Sequence, residues 1–263
     1  MSISDIIPVR IYAKLFSSTY LTNKRIRIKD FTSLVDFLCW ETLPKNGPII
    51  VRNLDNMLWD HLKDFTEKIG FQHFSRDNLM SHIRERSHGG VLKYYFYNFV
   101  IYTKACLDSI ACTLNAFFNF GFTRGSIDFG RAPFVGRVEC LPSFQGFQSK
   151  YGRWIERLTE YRIAIIHRKS VDVYPEVRST KVKIPVRALS HEELCGLEEL
   201  LCGERGDNEK RSIEESMRQI SLGTFLRENI ENTLVIAGNM STDVLAELKN
   251  RHPKHKPSTA YYR

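Results

Sequence analysis

Apolar residues recur at helical spacing along residues 154–170, and this pattern predicts a helix packed into a core. At about 100° per residue, one stripe of the helix contains Trp154, Ile155, Leu158, Tyr161 and Ile165. Arg162 falls at the edge of that stripe. Because a guanidinium stays charged there, we expect it to need a carboxylate, a carbonyl or a phosphate as a partner.

The longest apolar pattern covers residues 91–120 and predicts the central helix of a bundle, because nearly every side of it is apolar. Asp108 is the only acidic residue of this segment. An ionised carboxylate on a central helix is expected to be paired, and Arg162 is the natural candidate. Asn115 lies two turns beyond Asp108 and extends the polar side. The pair is either a buried structural salt bridge or a brace for a catalytic arginine.

Shorter patterns predict the other elements and a mainly α fold. Further helices are expected at residues 31–40, 54–69, 75–86, 190–201, 213–236 and 242–249. Alternating apolar residues predict short strands within residues 7–28 and a small β-hairpin within residues 170–189, after the helix that contains Arg162. We therefore expect an N-terminal extension (1–50), a helical bundle (51–250) and a basic, disordered tail (251–263).

The composition is typical of a soluble globular protein, with 43% hydrophobic and 26% charged residues among 263. The net charge of +8 suits a polyanionic partner, although solubility alone explains it equally well. None of the six cysteines forms a CxxC pair, so free thiols and a cytoplasmic location are expected. No secretory signal or membrane-spanning segment is expected either.

Residues 121–152 combine glycines with interleaved basic and aromatic residues. The basic residues are Arg124, Arg131, Arg137 and Lys150, and the aromatic ones are Phe122, Phe129, Phe134, Phe144 and Phe147. Single-stranded RNA would use such cations for phosphate and such rings for bases, which makes Arg124 and Arg131 candidate RNA contacts. The alternative, which the pattern favours, is a loop held to the bundle by its own phenylalanines.

The segment Arg162-Ile-Ala-Ile-Ile-His167 places a histidine five residues after an arginine, late in an apolar helix. A long helix at residues 107–118 precedes it. Together these stretches resemble the HEPN superfamily (higher eukaryotes and prokaryotes nucleotide-binding), whose motif is R-x4–6-H. Its members are all-α bundles that include many metal-independent RNA endonucleases. The resemblance extends to residues 53–245 as a helical plan.

The resemblance implies that Arg162 and His167 form an RNA-cleaving site that uses no metal or other cofactor. The ribose 2′-hydroxyl attacks the adjacent phosphorus, leaving a cyclic phosphate and a free 5′-hydroxyl. Histidine can transfer the protons near neutral pH, and arginine can bind two phosphate oxygens. Arg168 and Lys169 would add affinity for the RNA backbone.

Geometry limits how these two residues can act together. On a continuous helix, Arg162 and His167 lie ~140° apart around the axis and ~7.5 Å apart along it. They can reach one phosphate only if the helix ends near His167 or a second subunit contributes. The resemblance implies a two-fold dimer. The expected partners are RNA, a second copy of the chain, and an antitoxin or other regulatory protein in toxin or antiviral defence.

Two positions differ from the family's pattern. Ile163 follows the arginine, where active members often carry Asn, Asp or His. Lys169 stands where members that pair with nucleotidyltransferase antitoxins carry Tyr. Three hypotheses remain: a dimeric HEPN ribonuclease, a non-catalytic HEPN bundle that binds RNA, a nucleotide or a protein, and a structural helical protein in which the motif is accidental.

Overall fold

The structure is a computed structural model that describes residues 28–42, 50–53, 55–168, 173–175, 180–183 and 219–254. Of these residues 82% are helical, so the predicted mainly α fold is confirmed. None of the described helices is both long enough and apolar enough to cross a membrane. Several predicted elements lie outside the described residues: the strands before residue 28, the turn at 44–48, the helix at 190–201 and most of the C-terminal tail.

Six α-helices make up most of the described chain. They are α1 (Phe31–Leu38), α2 (Asn56–Arg84), α3 (Gly89–Phe118), α4 (Ala132–Val138), α5 (Phe147–Ile163) and α6 (Leu222–Arg251). A π-helix, Ala164–Arg168, continues directly from α5. Two 3₁₀ turns, Arg124–Ser126 and Pro142–Phe144, lie on either side of α4.

Helix α2 is one element, whereas the sequence predicted two helices that met near Ser75. The prediction treated Ser75 as a cap, but its side chain is buried and the helix continues through it. Buried apolar residues on both sides, Ile69 and Leu79, favour one continuous helix, and tertiary packing outweighs the local preference of serine for a helix end.

The sequence predicted a helix end near residue 86, and α2 ends at Arg84. Arg86 adopts a left-handed backbone with φ of 54°. The amide of Ser87 donates to the carbonyl of His82, and the amide of Arg86 donates to that of Ile83. These two bonds define a Schellman end with a non-glycine residue in the strained position. Gly89 begins α3.

Helix α6 also joins two predicted helices, 213–236 and 242–249, and it begins only at Leu222. Gly238 lies inside it because another segment approaches closely. A Cβ atom at Gly238 would lie 3.1 Å from Cβ of Lys29. The sequence indicated a break near this glycine, but here glycine permits a close contact within a continuous helix.

The described strands form two small antiparallel sheets. β1 (Cys39–Thr42) pairs with β2 (Ile50–Asn53), so the helix predicted through residue 40 ends earlier. β3 (Val173–Pro175) pairs with β4 (Thr180–Lys183), which confirms the hairpin predicted within residues 170–189. β5 (Gln219–Ser221) adds a third, unpredicted strand to β4, with Ile220 opposite Val182.

The chain divides into two compact units. The first unit contains the described residues of Met1–Gly70, Cys106–Phe147 and Asn232–Arg263. Its core includes Leu34, Leu62, Phe65, Ile110, Leu114, Phe134 and Val244. The second unit contains those of Phe71–Ala105 and Gln148–Glu231. Its core includes Leu79, Phe96, Phe99, Ile155, Leu158, Tyr161 and Phe225.

Candidate nucleic-acid interface

The apolar stripe predicted for the motif helix is confirmed in α5 and the π-helix that follows. All five predicted residues, Trp154, Ile155, Leu158, Tyr161 and Ile165, are buried. The indole Nε1 of Trp154 donates to Oδ1 of Asn229 at 3.1 Å, and the ring of Tyr161 packs edge-on against Phe225 at 4.8 Å between centroids. These contacts fix the rotation of α5 within the second unit, and they thereby determine which residues face solvent.

Arg162 is one of those residues, because its side chain is exposed. The sequence placed it at the edge of an apolar surface, where burial would demand a compensating partner. Exposure removes that demand, because water solvates the guanidinium. Ile163, the next residue, is half-buried. Arg162 therefore presents a permanent positive charge at the surface of the second unit.

The backbone changes helical geometry directly after Arg162. α5 ends at Ile163, and residues Ala164–Arg168 form a π-helix that includes the backbone of His167. A π turn closes i→i+5 hydrogen bonds in place of i→i+4 bonds. In this wider turn, the angle around the helix axis between Cα atoms five residues apart is smaller than in a regular α-helix. The angle between the Cα atoms of Arg162 and His167 is therefore smaller than the ~140° expected for a continuous α-helix.

The two supporting candidates lie on α3 in the first unit. Asp108 is half-buried. Burial of the Cys112 thiol raises its pKa, and the negative charge of Asp108 raises it further. The side chain of Asn115 makes two hydrogen bonds to the backbone of Phe122. Asn115 Nδ2 donates to the carbonyl oxygen of Phe122 at 3.2 Å, and the backbone N–H of Phe122 donates to Asn115 Oδ1 at 3.1 Å. Asn115 thus holds the chain that leaves α3. The Asp108–Arg162 pair stays a prediction.

Residues 121–152 separate into buried rings and exposed cations. Phe129, Phe134, Phe144 and Phe147 are buried, and they pack on one another at centroid distances from 4.9 to 6.4 Å. The rings pack as the alternative expected, but the segment is not a loop, because it contains α4, two 3₁₀ turns and the first residues of α5. These four rings offer no face for a base, whereas Arg124 and Arg131 are exposed and can contact phosphate. The remaining RNA-binding candidates are Arg168, of which only the backbone is described, and Lys169, which lies outside the described residues.

A partly buried polar network in the first unit was not predicted from the sequence. Nζ of Lys68 lies 2.6 Å from Oδ2 of Asp64 and donates to Oγ of Ser109 at 2.7 Å. Oγ of Ser109 donates in turn to Oδ2 of Asp64 at 2.6 Å. Burial raises the pKa of Asp64, but the hydrogen bonds from Lys68 and Ser109 outweigh it and lower that pKa below its ordinary value. The i, i+4 spacing of Asp64 and Lys68 was the available signal.

An aromatic surface along α2 and α3 in the second unit was not predicted either. Phe71 stacks on Tyr102 at 5.0 Å, and His82 stacks on Tyr95 at 5.2 Å. The apolar pattern of residues 91–120 includes Tyr95 and Tyr102, but it predicted a central helix and no accessible rings. We call this surface the aromatic seam, and it comprises Phe71, Phe74, Asn78 and His82 of α2 with Tyr94, Tyr95, Asn98 and Tyr102 of α3.

The chain matches no protein-family model, no curated protein and no solved structure. Within the part of the chain that the structure describes, no three His, Cys, Asp or Glu side chains are grouped so that they could hold a metal ion.

Proposed function

We propose that the chain is a metal-independent RNA endonuclease of the HEPN type that acts as a homodimer. The observation that carries the proposal is the junction at which α5 becomes a π-helix. It places an exposed arginine, Arg162, immediately before a widened turn that contains the backbone of His167. π-Helical turns are rare in proteins, and many of those that occur lie at functional sites. The motif thus coincides with a departure from regular helical geometry.

The chemistry follows from what the two residues can do. The guanidinium of Arg162 binds the non-bridging oxygens of the phosphate and stabilises the negative charge that develops when the 2′-hydroxyl attacks phosphorus. The imidazole of His167 accepts the proton of that hydroxyl or donates a proton to the departing 5′-oxygen, and both steps operate near neutral pH. One histidine cannot do both at once, so the second copy in a two-fold dimer supplies the other group.

The charge of the chain favours a polyanionic substrate. Its net charge is +8, and Arg124 and Arg131 of the first unit are exposed. Arg168 and Lys169 extend the basic character beyond the motif histidine. Contacts of this kind supply affinity without sequence specificity, because they bind phosphate and no base. The resemblance adds a role in toxin or antiviral defence to this proposal.

Cleavage of RNA in the presence of EDTA tests the proposal. We expect wild-type protein to cleave and the variants Arg162→Ala and His167→Ala each to lose about a hundredfold or more in rate. For His167 this is the usual contribution of a general acid or base, and for Arg162 it is that of a group that stabilises transition-state charge. Arg153→Ala is the matched control, because Arg153 is an exposed arginine on the same helix. Cleavage that survives both motif substitutions, or that the control abolishes equally, would contradict the assignment. A monomer at micromolar concentration in sedimentation velocity would contradict the dimeric site.

The second candidate is a HEPN bundle that binds RNA, a nucleotide or a protein without cleaving. Ile163 favours it, because an apolar, half-buried side chain follows Arg162 where active members of the superfamily often carry a polar one. Binding of RNA with no cleavage under any ionic condition, together with loss of binding in Arg162→Ala, would select this candidate.

A further inference from the structure

The aromatic seam forms a line of accessible rings along one side of the α2–α3 hairpin. On α2 the residues at 71, 74, 78 and 82 share one helical face, and on α3 those at 95, 98 and 102 do so. The stacked pairs, Phe71 with Tyr102 and His82 with Tyr95, show that these two faces meet. The seam therefore has a ring pair at each end, and Asn78 and Asn98 lie between the pairs along their helices.

Several of these rings are open to solvent. Phe71 is 41% exposed, Phe74 is 44% exposed and Tyr94 is 62% exposed. The ring of Tyr94 lies nearly perpendicular to that of Tyr95, at 5.2 Å between centroids, so this contact covers at most one face of Tyr94. Large apolar side chains that remain exposed together on one hairpin are typical of a surface that binds something.

The two ring pairs lie several base steps apart. Tyr95 and Tyr102 are seven residues apart on α3, ~10.5 Å along its axis, and Phe71 and His82 are eleven residues apart on α2, ~16.5 Å. Successive bases of a stacked strand are about 3.4 Å apart, so the interval spans roughly three to five base steps. The half-buried amides of Asn78 and Asn98 lie along this interval, where amides can pair with the edges of unpaired bases.

One cation lies near an end of the seam. Arg86 is exposed and has no acidic partner among the described residues, and Oγ of its neighbour Ser87 lies 2.9 Å from Nδ1 of the seam residue His82. The neighbouring Glu85 accepts from Ser81 and lies 3.4 Å from His82, so it is engaged elsewhere. Arginine beside accessible rings is the combination that single-stranded nucleic acid requires, with phosphate bound by charge and bases by stacking.

From these features we infer that the aromatic seam binds unpaired nucleotides of single-stranded RNA by stacking bases on its rings. The inference rests on the proposed action on RNA and adds a substrate preference, because bases inside a duplex are not free to stack on protein rings. A protein partner fits the seam less well. The centre of a protein interface is usually apolar, whereas the middle of the seam carries the amides of Asn78 and Asn98.

Binding of labelled RNA to the full chain tests the inference. Fluorescence anisotropy would compare a single-stranded 12-mer with a duplex of the same length, in a His167→Ala background that suppresses cleavage. We expect Tyr94→Leu and Phe71→Leu each to raise the Kd for the single strand about tenfold, because each removes a stacking platform. Tyr94→Phe keeps the ring and should retain the wild-type Kd. Val235→Ala, which trims an exposed apolar residue of α6, is the control.

Each other outcome has a definite meaning. An unchanged Kd in both leucine variants, or equal loss of single-strand and duplex binding, would overturn the inference, as would a chain that binds no single-stranded RNA. A change of oligomeric state in the leucine variants, seen by sedimentation velocity, would identify the seam as a contact between copies and would also overturn it. Seam-dependent binding without any cleavage by the wild type would refute only the proposed nuclease function.

Discussion

Ser109 offers the sharpest test of how the first unit is held together. Its side chain is 2% exposed, and its hydroxyl joins the charges of Asp64 and Lys68. Ser109→Ala removes two hydrogen bonds to charged groups, each of which contributes about 1.5–3 kcal/mol when the partners are fully buried. Asp64 and Lys68 are partly exposed and regain water, so we expect the free energy of unfolding to fall by about 2 kcal/mol.

The pH dependence of that loss gives an independent check. The pKa of Asp64 is lower in the folded protein than in the unfolded chain, so the unfolded chain binds the proton more readily. The contribution of the network is therefore complete above the unfolded-state pKa of about 4. It is lost as the pH falls through the lower, folded-state pKa. The difference between wild type and Ser109→Ala should be largest at neutral pH and should shrink in acid.

Urea unfolding at several pH values measures these quantities, and Asp64→Asn completes a double-mutant cycle. The two substitutions should couple by about 1 kcal/mol, because they share one network. Ser126→Ala is the control, since Ser126 is exposed and its loss should change stability by less than about 0.5 kcal/mol. A loss below that size for Ser109→Ala, or strict additivity with Asp64→Asn, would refute the reasoning.

Three further predictions concern single residues. Arg86→Gly should raise the free energy of unfolding by about 1 kcal/mol, because glycine adopts the left-handed backbone without strain; an unchanged or lower urea midpoint would contradict this. Tyr161→Phe should raise it by about 1 kcal/mol, because the buried hydroxyl has no hydrogen-bond partner among the described residues; thermal melts that show a loss would contradict it. Cys140 is exposed and should react with maleimide in the folded protein, whereas buried Cys106, whose pKa burial raises, should react only after unfolding; peptide mapping decides.

The sequence predicted the helices well where one strong apolar period defined them. α3 and the stripe of α5 lie where the pattern placed them, because burial against the core determines both the pattern and the structure. The helix ends were predicted less well. Ser75 and Gly238 carry local signals for a break, but packing of the surrounding residues keeps α2 and α6 continuous.

Only part of the candidate site could be predicted from the sequence. The motif residues could be read directly, but the π-helix after Arg162 could not, because a change in hydrogen-bond register leaves no periodic signal. The exposure of Arg162 also depends on how α5 rotates in its unit, which contacts such as that between Trp154 and Asn229 determine. The sequence showed that residues 121–152 carry aromatic and basic residues. The accessible rings nevertheless lie on α2 and α3, since the phenylalanines of 121–152 are buried.

The chemical identity of the RNA ends tests the central proposal most directly. Wild-type protein would be incubated with a defined single-stranded RNA in EDTA, and the products would be analysed by mass spectrometry. Attack by the 2′-hydroxyl predicts fragments that end in a 2′,3′-cyclic phosphate and begin with a 5′-hydroxyl, and neither Arg162→Ala nor His167→Ala should yield them at a comparable rate. Intact RNA, or fragments with a 3′-hydroxyl and a 5′-phosphate, would contradict the assignment of Arg162 and His167.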